Sequence, residues 1–149
     1  MGGVALDEQP LLLDTVALIF WHADSPRLPS RVRAALMTSL SRPIFVSVVS
    51  AFEIATKVRI GKLRVPPALL ADFQYVVESD GFRMLDLNAG AAVRAGQLSS
   101  AHRDPFDRLL AAQALAHDCA VVTLDPVFAE EFGAEVFWLR SGLPLRRTF

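Results

Sequence analysis

Four acidic residues stand where one segment of the chain gives way to the next: Asp14, Glu53, Asp107 and Asp125. Each follows a short apolar run or lies in the first turn of a predicted helix. Carboxylates that converge repel one another unless a counter-charge neutralises them. Oxygen ligands without a histidine or cysteine cluster favour a hard ion, Mg²⁺ or Mn²⁺, which typically handles phosphate groups and activates water. The four residues therefore predict hydrolysis of a phosphodiester.

Taken one at a time, these acids have a simpler explanation as helix caps. Ser50 and Glu53 fit a capping box, in which each side chain bonds the backbone amide of the other residue. Asp104 and Asp125 each precede a proline, a common way to begin a helix. Asp14 suits the N-terminus of the helical segment that follows it. Only the convergence of several acids at one place favours a metal site over capping.

A parallel sheet is what would make them converge. The predicted strands are Leu11–Leu13, Ile44–Val49 and Ala120–Leu124, with a weaker one at Phe82–Leu87. Continuous apolar runs of this kind are typical of strands covered on both faces. The predicted helices are Val16–Ala23, Ser30–Leu40, Ser50–Ile60, Pro67–Ser79, Ala89–Gln97, Pro105–Ala116 and Pro126–Phe132. This alternation predicts an α/β fold whose working crevice lies at the carboxyl ends of the strands.

Composition limits the protein to one domain that is rich in apolar residues. The 149 residues are 52% hydrophobic and 21% charged, which excludes disorder and predicts buried contacts with a partner or a second copy. The formal charge of −1 excludes a global basic field, so any contact with nucleic acid must be local. A single cysteine, Cys119, indicates the cytoplasm, and no apolar run is long enough to predict a membrane span. We expect Met1–Pro10 to be a loose extension and residues 11–149 to form the domain.

Several stretches carry a resemblance to a known family. The most specific is HRDPFDRLLAAQA, which begins at His102, and the others are LLLDT, SVVSAFEIATKVRIGKL and TLD. In order and spacing they resemble the PIN-domain ribonucleases, specifically the DPFDR branch of VapC-type toxins from type II toxin–antitoxin systems. Phe52 departs from the pattern, since a larger tryptophan is expected before the glutamate.

The resemblance implies a PIN-like fold, with a central parallel sheet flanked by helices, and an Mg²⁺- or Mn²⁺-dependent endoribonuclease. It implies an RNA substrate, with tRNA as one candidate, a cognate VapB-type antitoxin and a homodimer. Catalysis and metal binding would fall to Asp14, Glu53, Asp107 and Asp125. Asp104 is kept as a cap that supports the site from outside the metal's own contacts.

Residues beside the acids are further candidates. Thr15 and Ser50 carry hydroxyls that suit a metal-bound water or a phosphate, although capping is the better interpretation for Ser50. Arg108 is expected to pair with a carboxylate and orient the site. His102 is either an acid–base group or, more simply, a structural loop residue. A basic stretch is a candidate for RNA phosphates, or else a solvated face in which the first lysine pairs with Glu53: Lys57, Arg59, Lys62 and Arg64.

Two other functions compete with the nuclease. A PIN-like module without turnover, serving binding or dimerisation, would be expected to have lost one of the four acids, yet all are present. A phosphatase with an aspartyl nucleophile is suggested by Leu13-Asp14-Thr15. That class needs a second aspartate two residues after the first, and Val16 stands there.

Overall fold

Five parallel strands form a single sheet in the computed structural model, which describes residues 9–138. The strands are β1 (Leu11–Leu13), β2 (Ile44–Ser47), β3 (Arg83–Leu85), β4 (Ala120–Val122) and β5 (Val136–Phe137). Their order across the sheet is β3-β2-β1-β4-β5, so β1 is central and pairs Leu12 with Phe45 on one side and Val121 on the other. The α/β fold with a central parallel sheet is confirmed.

Helices cover both faces of this sheet. They are α1 (Thr15–His22), α2 (Ser30–Leu36), α3 (Val48–Arg59), α4 (Pro67–Ala71), α5 (Phe73–Ser79), α6 (Ala89–Gln97), α7 (Pro105–Ala116) and α8 (Val127–Glu130). Between residues 9 and 138, none of these helices has the length and apolarity to cross a bilayer.

Alternation along β1 divides the core in two. Leu11 and Leu13 lie in a cluster on the face that α1 and α2 cover, and Leu12 lies in a second cluster with Leu110 of α7 and Phe128 of α8. All three leucines of β1 are completely buried. Because successive side chains of a strand point to opposite faces, a strand between two helical layers must be apolar at every position.

Several predicted boundaries were wrong. The second strand ends at Ser47, because that residue caps α3 and the helix begins at once. The predicted Ser30–Leu40 helix ends at Leu36, and the predicted Pro67–Ser79 helix is two helices. Asp72 separates them, and its side chain accepts a hydrogen bond from the Tyr75 amide to start α5.

The first and last described segments of the domain also differ from prediction. Strand β5, only two residues long, was not predicted. At the other end, Gln9 is buried and its side chain donates to the Asp118 carbonyl, while the Ala120 amide donates to the Pro10 carbonyl. Residues 9 and 10 therefore belong to the domain rather than to a loose extension. The remaining predicted extension, residues 1–8, and the last eleven positions lie outside the described residues.

Cys119, directly before β4, is buried in the core. Burial, with a smaller contribution from the nearby Asp118, raises the pKa of its thiol to about 12. The thiol therefore stays protonated and inert near neutral pH.

Candidate active site at the carboxyl edge of the sheet

Three carboxylates are almost completely buried. Asp14, Glu53 and Asp107 expose 2%, 0% and 1% of their surface, respectively. Acidic residues are almost never buried to this extent unless they are paired, because removing a charge from water is costly. The partners of each carboxylate therefore indicate what the site is built to do.

Asp14 is held by the backbone at the end of β1. Its amide donates to the Val122 carbonyl at 3.1 Å, which continues the pairing of β1 with β4. Its Oδ1 accepts from the Ala17 amide at 2.7 Å and caps α1. The predicted cap is confirmed, and it fixes the carboxylate at the positive end of a helix.

The Glu53 carboxylate contacts side chains and does not cap a helix. The Thr15 hydroxyl donates to its Oε1 at 2.6 Å, and the Lys57 ammonium lies 2.6 Å from its Oε2. Ser50 Oγ lies 3.0 Å from Thr15 Oγ1. Since Thr15 spends its single proton on Glu53, Ser50 is the donor in that pair. A chain of hydroxyls thus runs from α3 through Thr15 to the carboxylate.

The predicted capping box at Ser50 and Glu53 is wrong. The cap of α3 is Ser47, three residues earlier, whose hydroxyl accepts from the Val49 amide at 3.0 Å. Ser50 consequently lies within the helix and is buried beside Thr15. This shift removes the simplest structural explanation for the glutamate.

Asp107 stands in the first turn of α7, at a helix start that was correctly predicted. Asp104 Oδ1 accepts from the amides of Phe106 and Asp107, at 2.9 and 3.3 Å, and Pro105 is the first helical residue. His102 Nε2 lies 2.8 Å from Asp107 Oδ2. Asp104 therefore serves as the cap, and His102 contacts the buried acid directly.

The prediction that Arg108 pairs with a carboxylate was wrong. Its five N–H groups donate to five backbone carbonyls in the segment before α7: Ala95, Gly96, Leu98, Ser100 and His102, at 2.6 to 3.3 Å. These include carbonyls near the end of α6, which a helix leaves without internal partners. Arg108 acts as a clamp on the loop that carries His102.

A buried glutamine ties α7 to the edge of the sheet. Ser47 Oγ donates to Gln113 Oε1 at 2.5 Å, and Gln113 Nε2 donates to the Asp86 carbonyl at 3.3 Å. These bonds fix α7 against the ends of β2 and β3. Nothing in the helical pattern of the sequence signalled this role.

An open cleft of about 520 Å³ lies beside the buried acids. Its polar lining consists of His102, Asp104, Asp107, Asp125, Glu130 and Glu131. Asp125 is half-buried, and its Oδ1 accepts from the Val127 amide at 3.0 Å. Because none of the residues 9–138 that line it is a lysine or arginine, this lining is negatively charged and suits a cation better than a bare polyanion.

The predicted acids thus come to one edge of the sheet as two linked groups. In the first group, Thr15, which follows Asp14 in the chain, donates a hydrogen bond to Glu53. In the second group, Asp107 and Asp125 line the same cleft. Within residues 9–138, no three histidine, cysteine or acidic side chains form a group that could by itself hold a metal ion. The donor chemistry nevertheless fits a hard cation, since all the donors are carboxylate oxygens and Mg²⁺ often uses one or two carboxylates with several waters.

The basic stretch after Glu53 divides into two parts. Lys57 points back to Glu53, which is the helical ion pair that its spacing allows. Arg59, Lys62 and Arg64 are exposed. Only the last three present their charge to solvent in a way that suits phosphates.

An apolar groove next to the acids was not predicted. It has a volume of about 390 Å³ and is lined by Val48, Val49, Phe52, Leu87, Pro105, Phe106 and Leu109. The rings of Phe52 and Phe106 lie 5.8 Å apart, and Phe52 is 64% exposed. Each phenylalanine directly precedes one of the buried acids in the sequence, a juxtaposition that only the packing of α3 against α7 makes visible.

Comparison with solved structures finds the same architecture in several chains. The DNA-bound VapBC from Salmonella typhimurium aligns with a TM-score of 0.64 at 22% identity, over 86% of this chain and 96% of that one. VapBC2 from Rickettsia felis, bound to a DNA fragment from its promoter, gives 0.64 at 15% identity, over 86% and 97%. FitAcB from Neisseria gonorrhoeae gives 0.59 at 22% identity, over 85% and 96%. At such identities the likeness shows the fold alone.

Comparison of sequences assigns the chain to a protein family. No curated protein matches the chain. The family profile of the PIN domain, however, matches residues 11–131, from the first residue of β1 to the residue after α8. This span contains all four predicted acids and the HRDPFDR motif, so the resemblance drawn from the sequence is confirmed at the level of the family. The chain belongs to the PIN domain family.

Proposed function

We propose that this PIN domain is a divalent-metal-dependent endoribonuclease that serves as the toxin of a toxin–antitoxin pair. The observation that carries the proposal is the burial of Asp14, Glu53 and Asp107 at one edge of a parallel sheet. Burying three carboxylates together has no value for packing and is costly unless a cation uses them. Membership of the PIN family supports the same activity, because PIN domains are generally nucleases.

Each acid would have a distinct task in this reaction. A bound Mg²⁺ or Mn²⁺ would supply a polarised water and charge stabilisation at the phosphate. Asp14 and Asp107 would hold the ion, since each is fixed at a helix N-terminus. Glu53, oriented by Thr15 and Lys57, would hold the attacking water or complete the ligand set, and Asp125 would bind from the cleft side.

Approach of RNA would depend on a few cations, because the net charge is −1 and the cleft is acidic. The exposed Arg59, Lys62 and Arg64 follow Glu53 in the chain and would contact the phosphates of the incoming strand. Lys57 belongs instead to the site, through its contact with Glu53. Such contacts position a strand without reading its bases.

A protein partner would cover the apolar groove. The sequence resembles VapC-type toxins, and the similar solved structures include VapBC complexes. A VapB-type antitoxin that placed apolar side chains between Phe52 and Phe106 would lie against the acids and block them.

A second copy of the chain would cover other apolar side chains. The exposed Met37 and Tyr75 favour a homodimer. Light scattering should give the mass of a dimer at micromolar concentration, and the mass of a stable monomer would contradict the homodimer.

One observation favours a second function, a PIN module without turnover. Lys57 and His102 already contact two of the buried acids, so the chain itself provides an ammonium and an imidazole as partners for them. A binding or dimerisation module could fold in this way without a metal. Metal-dependent cleavage separates the two functions.

Replacement of Asp107 tests the nuclease. Asp107→Asn should abolish metal-dependent RNA cleavage and leave the melting temperature in chelator unchanged or higher, because it removes one of several converging charges. Cleavage of labelled RNA and thermal melting provide the two readouts. Asp86→Asn is the matched control, since this acid follows β3 at the same edge but is exposed. Cleavage by Asp107→Asn at the wild-type rate would contradict the site.

The salt dependence of RNA binding tests the basic stretch. In an Asp107→Asn background, which cannot cleave, log affinity should fall with log salt with a slope of about two, at roughly 0.7 for each phosphate contact. Lys62→Glu with Arg64→Glu should lower that slope. Lys57→Gln should leave it unchanged, because its ammonium faces Glu53. An unchanged slope in the double variant would place the RNA path elsewhere.

A charge in the groove tests the partner. Leu87→Glu should weaken inhibition by the antitoxin encoded in the adjacent reading frame without lowering RNA cleavage by the free protein, because Leu87 lines the groove and does not line the acidic cleft. Val93→Glu, which alters an exposed apolar residue of α6 outside the groove, is the control. Equal inhibition of both variants would exclude the groove as the docking surface.

A further inference from the structure

We infer that His102 is a positioning residue of the site, which orients the Asp107 carboxylate for a divalent cation. This inference rests on the proposed function and extends it to a residue outside the four acids. The motif HRDPFDR contains both partners, together with the arginine that holds them together.

The contact itself has a defined direction. His102 Nε2 lies 2.8 Å from Asp107 Oδ2, and an ionised carboxylate only accepts hydrogen bonds. With Asp107 ionised, as a metal ligand must be, Nε2 carries the proton of this contact. A donor on Oδ2 stops the carboxylate from rotating about its last bond, so Oδ1 is presented in one direction.

His102 is itself held in place. Its backbone amide donates to Ser100 Oγ at 3.1 Å, and its imidazole packs edge-on against the ring of Phe132, with centroids 5.7 Å apart. The Arg108 clamp takes the His102 carbonyl at 3.1 Å together with four carbonyls before it. Arg108 follows Asp107 in α7, so the same helical turn carries the acid and fixes the loop that orients it.

A purely structural histidine would not need this arrangement. The His102 side chain is 29% exposed and lines the acidic cleft, so its ring reaches the site as well as packing on Phe132. Side chains that hydrogen-bond metal ligands without touching the metal orient those ligands, and their loss typically weakens metal binding by about 10- to 100-fold. Thr15 stands in the same relation to Glu53.

The test is the affinity of the full chain for Mn²⁺, measured by isothermal titration calorimetry. His102→Ala should bind Mn²⁺ about 10- to 100-fold more weakly than the wild type. His102→Gln, whose amide can place an N–H near the position of Nε2, should recover most of that affinity. Arg103→Ala, an exposed neighbour in the same loop, should bind like the wild type, and Asp107→Asn should bind weakly.

The possible results separate the inference from the site on which it rests. Wild-type affinity in His102→Ala with weak binding in Asp107→Asn would overturn the role of His102 and leave the metal site standing. Equal losses in His102→Ala and His102→Gln would overturn orientation through a hydrogen bond. Wild-type affinity in Asp107→Asn would overturn both the metal site and the inference.

Discussion

The cost of burying carboxylates is the constraint that the rest of this structure answers. Asp14, Glu53 and Asp107 have almost no contact with water, so each needs a partner that compensates for the lost hydration. The chain supplies part of that compensation. Asp14 accepts a helix-start amide, Glu53 has a hydroxyl and an ammonium, and Asp107 has an imidazole. A divalent cation would supply the remaining positive charge.

The geometry of the parallel sheet places the buried acids and their partners at one edge with few residues. Every strand ends at the same edge. At most one residue separates α1 and α3 from the strands before them, so the positive N-termini of both helices lie at this edge. Helix α7 has no strand directly before it and needs other supports. Gln113 ties it to the ends of β2 and β3, and Arg108 ties the preceding loop to it.

Local rules predicted much of the fold and part of the site. Asp14 and Asp104 follow from an apolar run or a proline beside a capping acid, and both caps are confirmed. The capping box at Ser50 failed because Ser47, Ser50 and Glu53 are spaced so that either serine can start the helix, and only the burial of Ser50 against Thr15 decides between them. The short strand β5 is held by pairing with β4, which leaves no periodic signal.

Long-range contacts could not be predicted. Arg108 was expected to pair with a carboxylate, because opposite charges attract, yet five carbonyls at the end of α6 and in the loop after it accept from all its donors. The groove between Phe52 and Phe106 likewise depends on how two helices pack, which no single segment encodes.

The most direct test of the site is anomalous diffraction at the manganese edge from a crystal of the chain grown with MnCl₂. We expect a manganese peak at the carboxyl edge of the sheet, with carboxylate oxygens of Asp14 and Asp107 at metal–oxygen bonding distance. A saturated crystal with no peak at this edge, and with Lys57 and His102 still on Glu53 and Asp107, would contradict it.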